Sequence, residues 1–308
     1  MTQAGCPTVI GVIGGSGLYD IAGLEDVRRE AVTTPFGTPS AKLVFGTLDG
    51  QKMVFLPRHG QGHVQSPTSL NYRANIDALK RAGVTEIISL SAVGSLREEL
   101  APGDFVIVNQ FIDRSFAREK SFFGEGCVAH VSMADPVCGR LGDALEGAAA
   151  SLGAPAVRRG TYLVMEGPQF STRAESNLYR LWNCDVIGMT NMPEAKLARE
   201  AEMCYATVAM VTDYDCWHDG HDDVSVEAII KVLTANADKA RDLVRAVTPI
   251  LAGRAIACQQ GCHTALDTAL ITAPEDRDPA MLARLDAVAG RVLYSQSRAN
   301  RFETTYWR

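Results

Sequence analysis

Short apolar runs alternate with longer amphipathic ones along most of the chain. The first is VIGVIG at 9–14, followed by KLVFGTL at 42–48 and KMVFLP at 52–57; others recur near 86–91, 104–109, 160–165, 185–189 and 204–212. Runs of this length bounded by turn residues predict strands. Between them, 69–82, 136–152, 172–182, 193–203 and 224–251 carry apolar residues three and four apart, the spacing of one helix face. Thr172 with Glu175 three residues later fits a capping box, and Pro193 fits the first turn of the helix reading PEAKLAREAEM. The alternation predicts an α/β fold. No linker or repeat interrupts it, so residues 1–251 read as one domain. APEDR at 273–277 then reads as a turn and PAMLARLDAVAGRVLYSQ as a terminal helix. Residues 252–308 are therefore expected to form a helical C-terminal extension, packed on the same domain or on a neighbouring subunit.

Composition narrows the partners. Of 308 residues, 46% are hydrophobic and 21% charged, which suits a globular core rather than a disordered chain. A formal charge of -6 argues against a nucleic-acid partner, which usually calls for a basic footprint, so any anion site must be local. No apolar run reaches the ~20 residues of a membrane span, and MTQAGCPTVIG lacks the pattern of a secretory leader. A cytoplasmic protein with no membrane partner is the expectation. The eight cysteines, Cys6, Cys127, Cys138, Cys184, Cys204, Cys216, Cys258 and Cys262, are too scattered for a disulfide scaffold. Only Cys258 and Cys262 are close, and their three-residue gap fits a local disulfide or two inert thiols better than a metal site.

Candidate chemistry collects where predicted strands end. GGSG at 14–17 allows backbone amides and the Ser16 hydroxyl to approach an anion, or simply makes a tight turn; it is neither a P-loop nor a dinucleotide fingerprint. PRHGQGH follows another strand, where Arg58 offers a planar fork for phosphate oxygens and His59 a second donor; a surface arginine beside a satisfied histidine is the plainer alternative. His59 and His63 are four apart, but the glycines between them argue against a zinc-ligating helix. SAVGSLR at 91–97 puts Ser91 and the amides near Ala92 at a third strand end. Ligands of open α/β sheets sit beyond the carboxyl ends of strands, so one shared site is geometrically reasonable. VTDYDCW at 211–217 places Asp213 and Asp215 two apart, on one side of an extended segment. Neighbouring carboxylates resist joint ionisation and can retain a proton to donate; two solvated loop acids are the alternative. HDGHDD at 218–223 reads as a polar loop rather than a metal site, and no GxSxG elbow supports a serine hydrolase.

Together the segments IGGSGLYD, TPFGTPS, RHGQGH, NYRANIDALK, SAVGSLREEL, PGDFVIVNQFIDR, EGPQFSTRAE, MTNMPEAKLAREA and TDYDCW resemble, in order, the S-methyl-5'-thioadenosine phosphorylases of the trimeric nucleoside phosphorylase family. The resemblance covers about 9–250. It implies a central mixed β-sheet flanked by helices, and a homotrimer with active sites near subunit interfaces. It further implies phosphorolysis of a small-molecule nucleoside by inorganic phosphate as co-substrate, with no metal or organic cofactor. On matching positions it puts Ser16, Arg58, His59, Ser91, Ala92 and Thr190 on phosphate, Met189 on the ribose, and Phe170, Ser171, Asp213 and Asp215 on the base.

Relatives acting on 6-oxopurines place Glu where Ser171 stands and Asn near Asp213, so both positions follow the aminopurine pattern, with Asp213 and Asp215 as the catalytic acids. The 5' end would meet Val226, Ile229 and Ile230, residues that equally suit core packing, and His130 would reach across the trimer interface toward this pocket. The alternatives are a phosphorylase preferring 5'-deoxyadenosine, methylthioinosine or another purine nucleoside, or a binding protein that kept the fold and lost turnover.

Overall fold

The computed structural model describes residues 8–15, 20–154, 156–218, 226–252 and 258–294. The chain opens with strands β1 (Ile10–Gly14), β2 (Leu24–Glu30), β3 (Leu43–Leu48) and β4 (Gln51–Pro57), then helix α1 (Tyr72–Arg81). Strands β5 (Glu86–Ser95) and β6 (Phe105–Asp113) precede α2 (Gly139–Ser151), β7 (Ala156–Val164), α3 (Arg173–Leu181) and β8 (Val186–Gly188). Helix α4 (Asn191–Glu200), β9 (Cys204–Asp213) and the long α5 (Val226–Leu251) follow, and α6 (Pro279–Arg284) and α7 (Asp286–Leu293) lie in the C-terminal segment.

Every element read from the hydrophobic pattern is present, and β2 is the addition. Its sequence, LEDVRRE, is mostly exposed and bulged between Glu25 and Arg28. An edge strand paired on one side has little apolar surface to bury and leaves no periodic signal. The Thr172–Glu175 capping box forms in both directions. Met192 has an extended backbone, so regular α4 geometry begins at Pro193, where the fixed proline φ suits a first turn. The single terminal helix expected from 279 is instead two short ones, α6 and α7, meeting at Leu285.

The nine strands run β2-β3-β4-β1-β5-β8-β7-β6-β9 in one mixed sheet. β1, β4, β5 and β9 are parallel, with Gly14 opposite Pro57, Ile13 opposite Ser89 and Gly94 opposite Asp213. Their carboxyl ends therefore share one edge. β5 pairs β9 along most of its length and β8 at Gly94 and Ser95, which closes β5, β8, β7, β6 and β9 into a ring.

Alternate residues of each strand feed opposite layers. Val9, Ile13, Leu43, Phe45, Val54 and Leu56 pack with Ile76, Leu79 and Leu197 of α1 and α4. Ile10, Val12, Val44, Met53 and Phe55 pack with Leu145 of α2 and Leu243 and Val247 of α5. This two-residue alternation is what a sheet covered on both faces requires. The segment 258–294 packs on the same body: Leu266, Leu285, Val288 and Ala289 join the α1–α4 layer, and Arg81 binds Asp286. Among the described residues no helix is long and apolar enough to cross a membrane.

A Cβ at Gly160 of β7 would stand 2.4 Å from Val106 Cγ1. Gly160→Ala should destabilise by about 1–3 kcal/mol through overpacking. The cost should shrink in a Val106→Ala background; a urea-melt double-mutant cycle with additive effects would contradict this account.

Candidate active site

The shared strand edge is organised around one buried ion pair. Arg58 follows β4, and its backbone amide donates to Gly14 O at the end of β1 (2.8 Å). Its guanidinium grips Glu194 of α4 from two nitrogens, Nε to Oε2 at 2.9 Å and Nη2 to Oε1 at 3.2 Å, with the two side chains only 4% and 3% exposed. Nη1 donates to Leu90 O (3.0 Å), and Nη2 to Ser89 Oγ (2.6 Å). Glu194 Oε1 also accepts from Ser89 Oγ (2.7 Å) and Tyr205 Oη (2.8 Å). Burial alone would lower the Arg58 pKa, but Glu194 more than reverses this, so the guanidinium stays charged. Arg58 thus reaches the expected place in a different state: it is an interior cation already shared with a carboxylate, and not an open fork.

His59 also differs from the donor expected of it. Its Nδ1 lies 2.9 Å from Gln65 O. A carbonyl only accepts, so Nδ1 carries the hydrogen and Nε2 of the neutral ring is an acceptor. Burial and the adjacent Arg58 charge push its pKa down to about 4, which keeps the ring neutral. His59 and His63 stack at 4.1 Å between centroids and 16° between planes, an arrangement of packed rings.

Beyond Leu90, Ser91 Oγ lies 3.0 Å from Tyr162 Oη in the interior, and Tyr162 is hydrogen-bonded to the Thr190 backbone. These contacts run from Arg58 through Leu90 and Ser91 to Tyr162 and Thr190, and Ser91 Oγ also donates to Ala92 O (3.4 Å). Thr190 occupies the N-cap of α4 without using its side chain as a cap. The Tyr162 ring passes so close to β8 that a Cβ at Gly188 would stand 1.9 Å from its Oη.

Met189 packs on the loop after β7, where a Cβ at Gly167 would lie 2.5 Å from its sulfur. Arg118 fastens this region: Nε donates to Glu166 Oε1 (3.0 Å), and the remaining nitrogens reach Met189 O, Met192 O (2.7 Å) and Glu166 O. Glu166 also accepts from Thr68 Oγ1 and from the Phe116 and Ala117 amides. Burial raises its pKa, but these bonds outweigh it and hold the carboxyl down at about 2. Arg118, Glu166, Tyr162 and Glu194 were not singled out from the sequence, although all but Arg118 fall in apolar or motif segments; their roles depend on partners 46 to 136 residues away.

At the end of β9, Asp213 Oδ2 accepts from Thr212 Oγ1 (2.7 Å) and Oδ1 from the Asp215 amide (2.8 Å). Asp215 turns with φ +52 and accepts from Ser171 Oγ at both oxygens (2.8 and 3.1 Å). Burial raises both pKa values, and in Asp213 the Asp215 charge adds to the effect. Gly94, opposite Asp213, leaves the room: a Cβ there would lie 3.0 Å from Asp213 Oδ1 and 3.3 Å from Asp215 Cβ. Phe170, exposed, adjoins Ser171.

The remaining expected residues are not joined to this constellation. Ser16 lies outside the described residues, as do the side chains of Val226, Ile229 and Ile230 in the first turns of α5. His130 is exposed on a loop, its amide bonded to Ala269 O (2.8 Å), and among the described residues no hydrogen bond or ion pair joins it to the groups above.

The sequence profile described as the phosphorylase superfamily matches residues 9–249. The chain belongs to that superfamily. It is 65% identical over 293 residues to the S-methyl-5'-thioadenosine phosphorylase of Rhodospirillum rubrum, spanning 95% of this chain and 100% of the relative. It is 61% identical over 293 residues to the protein of the same name from Bradyrhizobium diazoefficiens, spanning 95% and 99%. Among solved structures it resembles a methylthioadenosine phosphorylase from an antarctic soil metagenomic library (TM-score 0.87, 47% identity, 92% of this chain and 99% of the other). It also resembles the apo methylthioadenosine phosphorylase of Schistosoma mansoni (TM-score 0.73, 37% identity, 79% and 91%). The family read from the ordered motifs and the α/β fold with a mixed sheet are both borne out.

Two outcomes follow from the site's ion pairs. Glu194→Gln leaves Arg58 charged and uncompensated in the interior, which should cost about 3–5 kcal/mol in urea unfolding and raise the KM for phosphate. Glu166 has a folded pKa depressed from 4.5 to about 2, so its contribution is complete above 4.5 and is lost as pH falls toward 2. Denaturation midpoints should decline over that interval in the wild type and decline less steeply in Glu166→Gln.

Proposed function

We propose that this chain cleaves S-methyl-5'-thioadenosine with inorganic phosphate, releasing adenine and 5-methylthioribose 1-phosphate. The observation that carries the reading is the acid pair at the end of β9, Asp215 buried and Asp213 half-buried, with Ser171 on Asp215 and both carboxyl pKa values raised. A 6-aminopurine donates from its exocyclic amine and needs an acceptor there, whereas its imidazole nitrogen needs a proton as the glycosidic bond breaks. Asp215 serves the first need, and Asp213, whose carboxyl is made a better proton holder by burial and the Asp215 charge, serves the second.

Phosphate attacks the anomeric carbon from the face opposite the departing base, while the sugar acquires oxocarbenium character. Positioning and electrostatics supply most of the acceleration. Ser16, Arg58, Ser91, the Ala92 amide and Thr190 hold the phosphate, with Arg58 keeping one Nη1 hydrogen beyond its bond to Leu90. His59, neutral with Nε2 as acceptor, takes a hydrogen bond from a phosphate hydroxyl. Because Glu194 already shares the Arg58 charge, the nucleophile is oriented without being fully neutralised. Met189 lies against the ribose, Phe170 against the base, and Val226, Ile229 and Ile230 around the methylthio group. The reaction uses no metal or organic cofactor. The enzyme works in the cytoplasm as a homotrimer in which His130 reaches a neighbouring subunit's site; a monomer by light scattering would remove that role.

Phosphate-dependent release of base should be greatest with methylthioadenosine when it is compared with methylthioinosine, 5'-deoxyadenosine, adenosine and inosine. Asp213→Asn should lower kcat by about 10²–10⁴-fold on aminopurines and shift relative preference toward 6-oxopurines. With the protonated carboxyl as the active form, rate should fall as pH rises through the raised Asp213 pKa, and that limb should flatten in the mutant. Faster cleavage of inosine compounds by the wild type would reject the base assignment.

A further inference from the structure

Four cysteines meet at the end of the molecule remote from the acid pair. Cys138 is the N-cap of α2, Cys204 begins β9, and Cys258 and Cys262 flank a tight turn in the C-terminal segment. Their sulfurs all lie within 4.8 Å of one another, and all four residues are buried. The three-residue gap between Cys258 and Cys262 disfavours a metal only while the two are considered alone; Cys138 and Cys204 complete the set from 120 and 54 residues earlier in the chain.

We propose that Cys138, Cys204, Cys258 and Cys262 bind one structural zinc ion that fastens the C-terminal segment to α2 and β9. A tetrahedral zinc with Zn–S bonds of about 2.3 Å sets its sulfurs about 3.8 Å apart. The Cys138–Cys258 separation is 3.6 Å. A cuboidal iron–sulfur cluster would splay the four thiolates further than this. The surroundings suit anionic ligands: Arg140 Nη2 donates to Cys204 Sγ and Arg199 Nη1 to Cys262 Sγ, each at 3.5 Å. The Cys262 amide donates to the Cys258 sulfur. The Arg199 guanidinium, together with Arg140, whose charge is shared with Glu86, partly offsets the net -2 of a zinc tetrathiolate, whereas disulfide sulfurs carry no charge for them to meet. Gly261, with φ +69, permits the turn that points Cys258 and Cys262 at one centre.

Binding converts four thiols and one Zn²⁺ into the tetrathiolate with release of four protons. Four protein ligands leave no open position, as in structural rather than catalytic zinc sites. Nine strand steps of ~3.3 Å separate Cys204 from Asp213, roughly 30 Å along β9, so the ion takes no part in phosphorolysis.

The test uses the full-length protein purified without a metal-affinity tag. Elemental analysis should find about one zinc per chain, released stoichiometrically by a thiol-reactive mercurial. All eight cysteines should titrate as thiols after denaturation without reductant. Cys258→Ser/Cys262→Ser should contain no zinc, and Co²⁺ exchanged into the wild type should show the visible bands of tetrahedral thiolate coordination. Four missing thiols and no metal would mean two disulfides; eight thiols and no metal would mean an inert cluster; stoichiometric iron would mean a different ion. Each of these overturns the proposal, and all are read on the wild type, so folding of the variant does not decide the matter.

Discussion

The site depends on placing Arg58 and Glu194 together in the interior. Removing two charges from water is costly, and only near-complete hydrogen bonding offsets it. That requirement recruits Ser89, Leu90 and Tyr205 as partners, and so binds the end of β4, the middle of β5 and the start of β9 to α4. The Arg58 amide adds the end of β1. One ion pair thereby fixes the relative heights of the ends of β1 and β4, the middle of β5, the start of β9 and the helix carrying Thr190 at its cap. An acidic protein keeps a single cation here where solvent does not screen it, the local anion site that the proposed phosphorolysis requires.

Close approach does the rest of the positioning. Gly94 makes room for Asp213 and Asp215, and Gly188 for the Tyr162 ring that links Ser91 to Thr190. A side chain at either position would push these groups apart. Arg118 plays the corresponding part for loops, since six acceptors on both sides of Met189 converge on its guanidinium. Buried ionic clamps of this kind supply rigidity that loops by themselves lack.

The C-terminal segment is tied to the body at two places of different chemistry. Arg291 binds Glu202, and Arg81 binds Asp286, on the α1–α4 side. On the α2 side, the thiols of Cys258 and Cys262 meet Cys138 and Cys204. The Glu202 carboxylate is buried in its pair with Arg291, and Arg81 is largely covered in its pair with Asp286, so the polar side anchors the segment on one face while a cross-link at the cysteines would fasten the other.

The sequence by itself determined the strands and helices with strong period, because burial on one or two faces imposes an alternation or a three-to-four spacing that local reading detects. It also located the ends of β4 and β9, and hence Arg58 and Asp213, since small and polar residues after an apolar run are a local signal; the strand end expected at Ser91 lies instead inside β5, which continues to Ser95 because it pairs β9 and β8 there, and Ser171 was reached only through the family resemblance. Edge strand β2 left no such signal because it buries almost nothing. Only the tertiary structure decided the states of the groups: that Arg58 is paired with Glu194, 136 residues away, that His59 is a neutral acceptor because Gln65 O takes its hydrogen, and that four dispersed cysteines share one centre. Charge state, tautomer and ligand geometry are set by what surrounds a side chain in space, and the chain brings those neighbours from positions its local pattern does not connect.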